Sequence, residues 1–293
     1  MTETKGSPYS AAMREYTEPT PIDLQAFSTV RILKESWEIS TKYFGALVMP
    51  MVVLTLCGVP FVFILSGPIG ELINNIISAC LGPIALMGLY RSTLTLKSTG
   101  TSPSFSSTTS SGSEYWWRGI KIGCVIGLYT FCAVLCGFLA TSILWIPGIL
   151  LMEDFKTAAI TLFVFAGIGL TGFLCWFAAR ACLAYSAMAD ERHIAFESFS
   201  IAWEMTKGRL GKIASIGLAI AGIGFALLLM VSLFLALMFA LDESVGVISL
   251  ILLFIPGLLA YFFVLSWGHV ALCLAYQALK PAPKEENQLP GAN

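Results

Sequence analysis

Few side chains in this sequence can do chemistry, and they are thinly spread. His269 lies inside the last apolar run, in "SWGHVALCLAY". An imidazole there can relay a proton, hold a ligand, or stay neutral and hydrogen-bonded to a neighbouring helix. The third role is the simplest, because the one other histidine, His193, falls in a loop and no cluster can form. Arg91 and Arg180 stand near the inner ends of two apolar runs, where an arginine can snorkel to lipid phosphates or line a basic pocket for an anionic headgroup or solute. Glu38 and Glu204 are candidates to meet those arginines or to face water. Asn74 and Asn75 suit interhelical hydrogen bonds or a polar step on a transport path. Asp190-Glu191-Arg192-His193 clusters charge where a helix begins, so Asp190 is expected to cap that helix.

The inventory for an enzyme is thin. The chain has no Gly-x-Ser-x-Gly elbow, no His-Glu-x-x-His, no phosphate loop and no carboxylate pair at membrane depth. The eight cysteines all lie in apolar stretches without a Cys-x-x-Cys pair. They read as small buried hydrophobes; Cys132 and Cys136 share a helix face but lack the further ligands a metal needs. No catalytic group, cofactor or metal site is expected.

The elements that would position these residues are membrane helices. Of the 293 residues, 57% are hydrophobic and 12% charged, and the mean hydropathy is +0.80, values foreign to a water-soluble domain. A span needs about 20 apolar residues. Six stretches qualify, at about 44–66, 72–93, 121–146, 158–183, 213–241 and 246–275, the second interrupted by Asn74, Asn75 and Arg91. The expected fold class is therefore all-α, a polytopic integral membrane protein. Pro50, Pro60, Pro83, Pro147 and Pro256 can kink these helices.

Charge orients them. With the amino terminus inside, the cytoplasmic segments collect all the Lys and Arg residues except Lys156, which sits in a short outer loop beside Glu153 and Asp154. The positive-inside rule then puts both termini in the cytoplasm of a cell inner (plasma) membrane. No cleavable leader is expected before the first span. A net charge of -1 gives no basic excess to neutralise phosphates, so no nucleic-acid partner is expected.

Two phrases recur before apolar runs: "SWEISTKYFG" at 36–45 and "AWEMTKGRLG" at 202–211. A shift of 166 residues aligns Trp37 with Trp203, Glu38 with Glu204 and Gly45 with Gly211, along one helical face. Each phrase closes an amphipathic helix, at about 24–43 and 191–209, expected to lie in the inner interface. Trp37 and Trp203 would anchor these helices, and Gly45 and Gly211 would let the chain turn into the bilayer. Trp116 and Trp117 are expected to anchor the third span. An even number of spans separates the phrases, so the repeat is parallel. A second echo, "ACLAYSAM" at 181–188 and "LCLAYQAL" at 272–279, extends it to hairpins. The expected organisation is a disordered tail at 1–23 and a membrane domain at 24–280. That domain divides into an interfacial helix and first hairpin (24–97), a Ser/Thr/Gly-rich flexible linker and second hairpin (98–190), and an interfacial helix and third hairpin (191–280). A tail at 281–293 completes the chain.

Three segments, "ILKESWEISTKYFG", "GLYRSTLTLKSTGTSPSF" and "AYSAMADERHIAFESFSIAWEMTKGRLG", resemble a broad prokaryotic family of uncharacterised six-span membrane proteins. Relatives of that family form the membrane domain fused to some glycerophosphodiester phosphodiesterases. The resemblance implies a fold and a link to the envelope but no catalytic residue, since the soluble catalytic domain of the fused members has no counterpart here. The function expected is a non-enzymatic membrane protein that organises or stabilises the membrane or a partner complex. The alternative is a transporter or channel for a small or lipid-like solute, with Arg91, Arg180 and His269 beside its path. The bilayer, anionic lipid headgroups, and a protein partner or a second copy of the chain are the partners considered.

Overall fold

A computed structural model describes residues 27–57, 68–152, 155–190, 194–241 and 243–280. The two tails, residues 58–66 of the first expected span, and His193 lie outside the described residues. Every described element is a helix: α1 (Thr29–Lys42), α2 (Phe44–Leu47), α3 (Met49–Leu56), α4 (Pro68–Thr99), α5 (Phe105–Glu114), α6 (Trp116–Leu150), α7 (Lys156–Ala181), α8 (Ala184–Ala189), α9 (Ala195–Met205), α10 (Leu210–Leu241) and α11 (Glu243–Leu279).

Five stretches are long and apolar enough to cross a membrane: Ile69–Thr99, Trp116–Leu150, Lys156–Ala189, Leu210–Ala240 and Ile255–Leu279. They match the second to sixth expected spans, and the protein is a multi-pass membrane protein. The 32 residues of α4 and the 37 of α11 measure about 48 and 55 Å, well beyond the roughly 30 Å of a hydrocarbon core. The excess length lets each of these helices span and also pack at one end. Pro83, Pro147 and Pro256 sit inside α4, α6 and α11.

The buried core gathers at that end. It contains Leu89, Tyr90 and Leu94 of α4, Leu183 to Met188 around α8, and Val270 to Leu279 of α11. The far halves of the long helices contribute little to it. None of the most apolar 18-residue window of α10 is buried, against 44% of that of α11.

Three short helices close the core, each seated on a hairpin other than the one it introduces. The fifth helix, α5, lies on α4 and touches α2 and α3; α9 lies on α6 and α7; α1 lies on α10 and α11, which closes a ring. Helix α1 begins at Ser28, whose hydroxyl accepts the Arg31 N–H, and buries Ile32, Ser36 and Ser40. The equivalent face of α9 buries Ser198, Ala202 and Thr206. These helices are shorter than the 24–43 and 191–209 expected, and residues 24–26 and 191–193 lie outside the described residues.

Several local expectations change. The stretch read as a flexible linker, 98–117, contains α5. Ser104 caps it with a reciprocal Ser104–Ser107 pair, and α5 approaches α4 backbone to backbone. A Cβ on Gly88 would stand 2.3 Å from the Thr108 carbonyl oxygen, and one on Gly112 would stand 2.1 Å from that of Ile84. Ser92 and Thr108 hydrogen-bond across the contact at 3.0 Å. Small residues hold helices together by proximity rather than by apolar bulk, so this contact is invisible to a hydropathy pattern. Gly45 and Gly211 lie inside α2 and α10; the left-handed turns are made by Gly100, after α4, and Gly208, between α9 and α10. Cys57, Cys80, Cys124, Cys132, Cys136 and Cys175 face outward, and Cys273 is buried.

Candidate functional site

The three side chains that could bind a solute each meet a protein group at the buried end of the bundle. His269, on α11, faces α4: its Nδ1 is 2.8 Å from the Tyr90 hydroxyl. Tyr90 is wholly enclosed and stacks on Tyr185 of the α8 segment at 6.0 Å, with ring planes 5° apart. Cys273 Sγ donates to the Tyr90 carbonyl at 3.7 Å. The return helices of all three hairpins therefore meet at one aromatic knot. A buried phenol and a half-buried imidazole satisfy each other there, which removes the cost of leaving either polar group unpaired.

Arg91, next along α4, turns the other way. Its Nη1 donates to the Ala189 carbonyl at 3.3 Å, at the carboxyl end of α8. Its guanidinium covers the Tyr115 ring at 5.1 Å, and Arg118 meets the same ring at 5.7 Å. Arg180 repeats the device on α7: its Nη1 donates to the Trp203 carbonyl at 3.0 Å, in the last turn of α9. The plane lies over Trp203 at 5.3 Å and Trp176 at 5.8 Å. A cation at a helix carboxyl end neutralises open carbonyls and the negative end of the helix dipole. Both arginines thus fasten a short helix to the end of a long one, and they fasten different helices.

The expected anchors divide. Trp37 meets Trp267 edge-on, at 5.3 Å and 89°, and Trp203 meets Trp176 edge-on, at 5.4 Å and 88°. The two tryptophans matched in sequence thus make the same contact with two tryptophans nine residues before a matched tyrosine, Tyr276 and Tyr185. Trp267 Nε1 also donates to Ser36 Oγ at 2.9 Å. Trp116 donates to the Cys80 carbonyl at 2.8 Å, close to where Pro83 interrupts the α4 hydrogen-bond ladder. Trp117 is 57% exposed beside Lys121.

Asp190 does not begin a helix. It ends α8, accepts from the Tyr276 hydroxyl at 2.9 Å, and pairs with Lys280. Ile194 occupies the cap position of α9, where Glu197 accepts its N–H. Glu204 pairs with Lys207, at 3.8 Å. Asn74 is half-buried and Asn75 faces outward near the start of α4. Among the described residues no group of three metal-ligating side chains forms. Tyr90, Tyr185, Trp176 and Trp267 were not singled out by type or spacing. Their signal was the "LAY" echo, which carries Tyr185 and Tyr276 and extends to Tyr90 in "GLY".

No family model, no curated protein and no solved structure matches this chain.

Proposed function

We propose that the protein is a non-enzymatic scaffold of the cell inner (plasma) membrane that organises or stabilises the bilayer or a partner complex within it. It crosses the membrane six times with both termini in the cytoplasm, the first crossing beginning in the apolar Phe44–Leu54 stretch. The observation that carries this reading is the use made of Arg91, Arg180 and His269. Each is engaged with a backbone carbonyl or a side chain of another helix, so none is held ready for a passing solute. The cation distribution supports the orientation. The matched tryptophan pairs and the cyclic seating of α1, α5 and α9 support a parallel internal repeat, and the seating of three short helices favours three units.

Solvent access at the knot tests the reading. In a cysteine-free background carrying His269→Cys, reconstituted in liposomes, a membrane-impermeant thiol reagent is expected to leave position 269 unlabelled from at least one side. Labelling from both sides would reveal a continuous aqueous path and replace the scaffold by the transporter.

A further inference from the structure

The two matched short helices expose an apolar residue at the same first-turn position and differ in the charge around it. On α1 the outward positions are Val30, Lys34, Trp37 and Thr41; of the positions 166 residues later, Phe196 on α9 and Lys207 just beyond it face outward, while Ser200 and Trp203 are half-buried. Each helix carries a large apolar side chain in its first turn that touches little of the protein, Val30 being 76% exposed and Phe196 57%. One exposed apolar residue needs no explanation, but the same position exposed on both copies does.

The surroundings of Val30 point to its occupant. Thr29 bonds to Ser215 at 3.2 Å, at the start of α10. Three residues beyond Ser215, Leu218 is 75% exposed on the outward face of a helix that must meet lipid. The outward face of α1 is therefore continuous with the acyl-facing surface of a span. Beside it α1 exposes Arg31, Lys34 and Lys42 against one carboxylate, Glu38. Among the described residues neither Arg31 nor Lys34 has a carboxylate partner. On α9 the corresponding charge is cancelled locally by the Glu204–Lys207 pair.

We infer that the outward face of α1 is a docking site for anionic lipid of the cytoplasmic leaflet: Val30 and Trp37 enter the acyl region, and Arg31 and Lys34 hold headgroup phosphates. The matched face of α9 enters the same leaflet without choosing its charge. This rests on the scaffold reading and its orientation, and it moves lipid recognition from Arg91 and Arg180, which close helix ends, to cations the fold leaves open. Exposed lysine and arginine are each worth about a fivefold preference for an anionic surface.

The test uses the full chain in liposomes of phosphatidylcholine with phosphatidylglycerol, doped with a trace of either lipid carrying a photoreactive acyl chain, and maps labelled peptides by mass spectrometry. The α1 peptide is expected to be labelled by both probes with phosphatidylglycerol favoured. That preference should fall about fivefold in Arg31→Gln and again in Lys34→Gln, and survive in Lys34→Arg. The α9 peptide should take both probes equally. Equal labelling of α1 by the two probes would overturn the charge selection. No labelling of α1 by either would overturn the docking itself and turn this face towards a protein. Both results are independent of thiol access at position 269, so the failure of one reading is distinguishable from the failure of the other.

Discussion

The two ends of this bundle obey different packing rules. At the end that holds the core, α4, α8 and α11 meet around Tyr90, Tyr185 and His269, and α1, α5 and α9 are sewn to them by hydrogen bonds, edge-on tryptophans and arginines on helix ends. At the far end, α10 presents Leu228, Leu233 and Leu237 outward, at 63%, 70% and 56% exposure. Hydrocarbon surrounds those side chains as well as a neighbouring helix would, so nothing drives them together. The difference teaches that the fold is specified at one membrane surface, where polar partners and close backbone approach are available, and that the apolar halves are guided there.

Replacing one glycine inside a close helix contact and one outside any contact gives the sharpest contrast. Gly112→Leu would force a side chain into the Ile84 carbonyl, whereas Gly217 has nothing within 4 Å of its added Cβ. Overpacking against backbone costs about 3 kcal/mol or more. Gly112→Leu is expected to lose the monodisperse peak on size exclusion, and Gly217→Leu to keep it; equal behaviour would dissolve the comparison. Trp267→Ala follows, because it removes the Trp37 contact and the bond to Ser36. About 3 kcal/mol is expected for so large a truncation, read as a lowered melting temperature in detergent, while Leu233→Ala should leave the melt unchanged.

Smaller effects probe the polar links. Tyr90→Phe keeps the stacking on Tyr185 and leaves His269 Nδ1 without its partner. A loss of about 1–2 kcal/mol is expected for a half-buried polar group so abandoned, measured by the same melt, and less in the double variant with His269→Phe than the two single losses would sum to. Asp190→Asn weakens the link between α8 and the end of α11. Lys280 is partly exposed, so about 1 kcal/mol or less is expected, seen as faster amide exchange in the last turn of α11.

Much of the fold was legible in the sequence, and little of the site. Runs of about 20 apolar residues announce long helices whatever surrounds them, which is why five of the six expected spans reappear with shifted ends. Trp37 and Trp203 stood out in the sequence by the phrase they share, and each makes an edge-on contact with another tryptophan. Helix α5 was not, since Thr108, Gly112 and the serines around them have the composition of a linker, and their value lies in how closely α4 approaches. Asp190 was misplaced because a carboxylate before a helix and one after a helix look alike in sequence; Tyr276 and Lys280, 86 and 90 residues away, decide between them. Arg91 and Arg180 were found by type and depth, but their targets are backbone carbonyls that no side-chain pattern reveals.

Those two arginines carry the central claim, and one paired measurement on Arg91→Ala and Arg180→Ala tests it: the melting temperature of each purified variant together with native mass spectrometry of the lipid it retains. If the arginines close helix ends, both variants melt below the parent chain by the equivalent of about 1–3 kcal/mol and keep the same bound lipid. Unchanged melting with loss of a tightly held anionic lipid or solute would show that the arginines form a binding pocket and contradict the account.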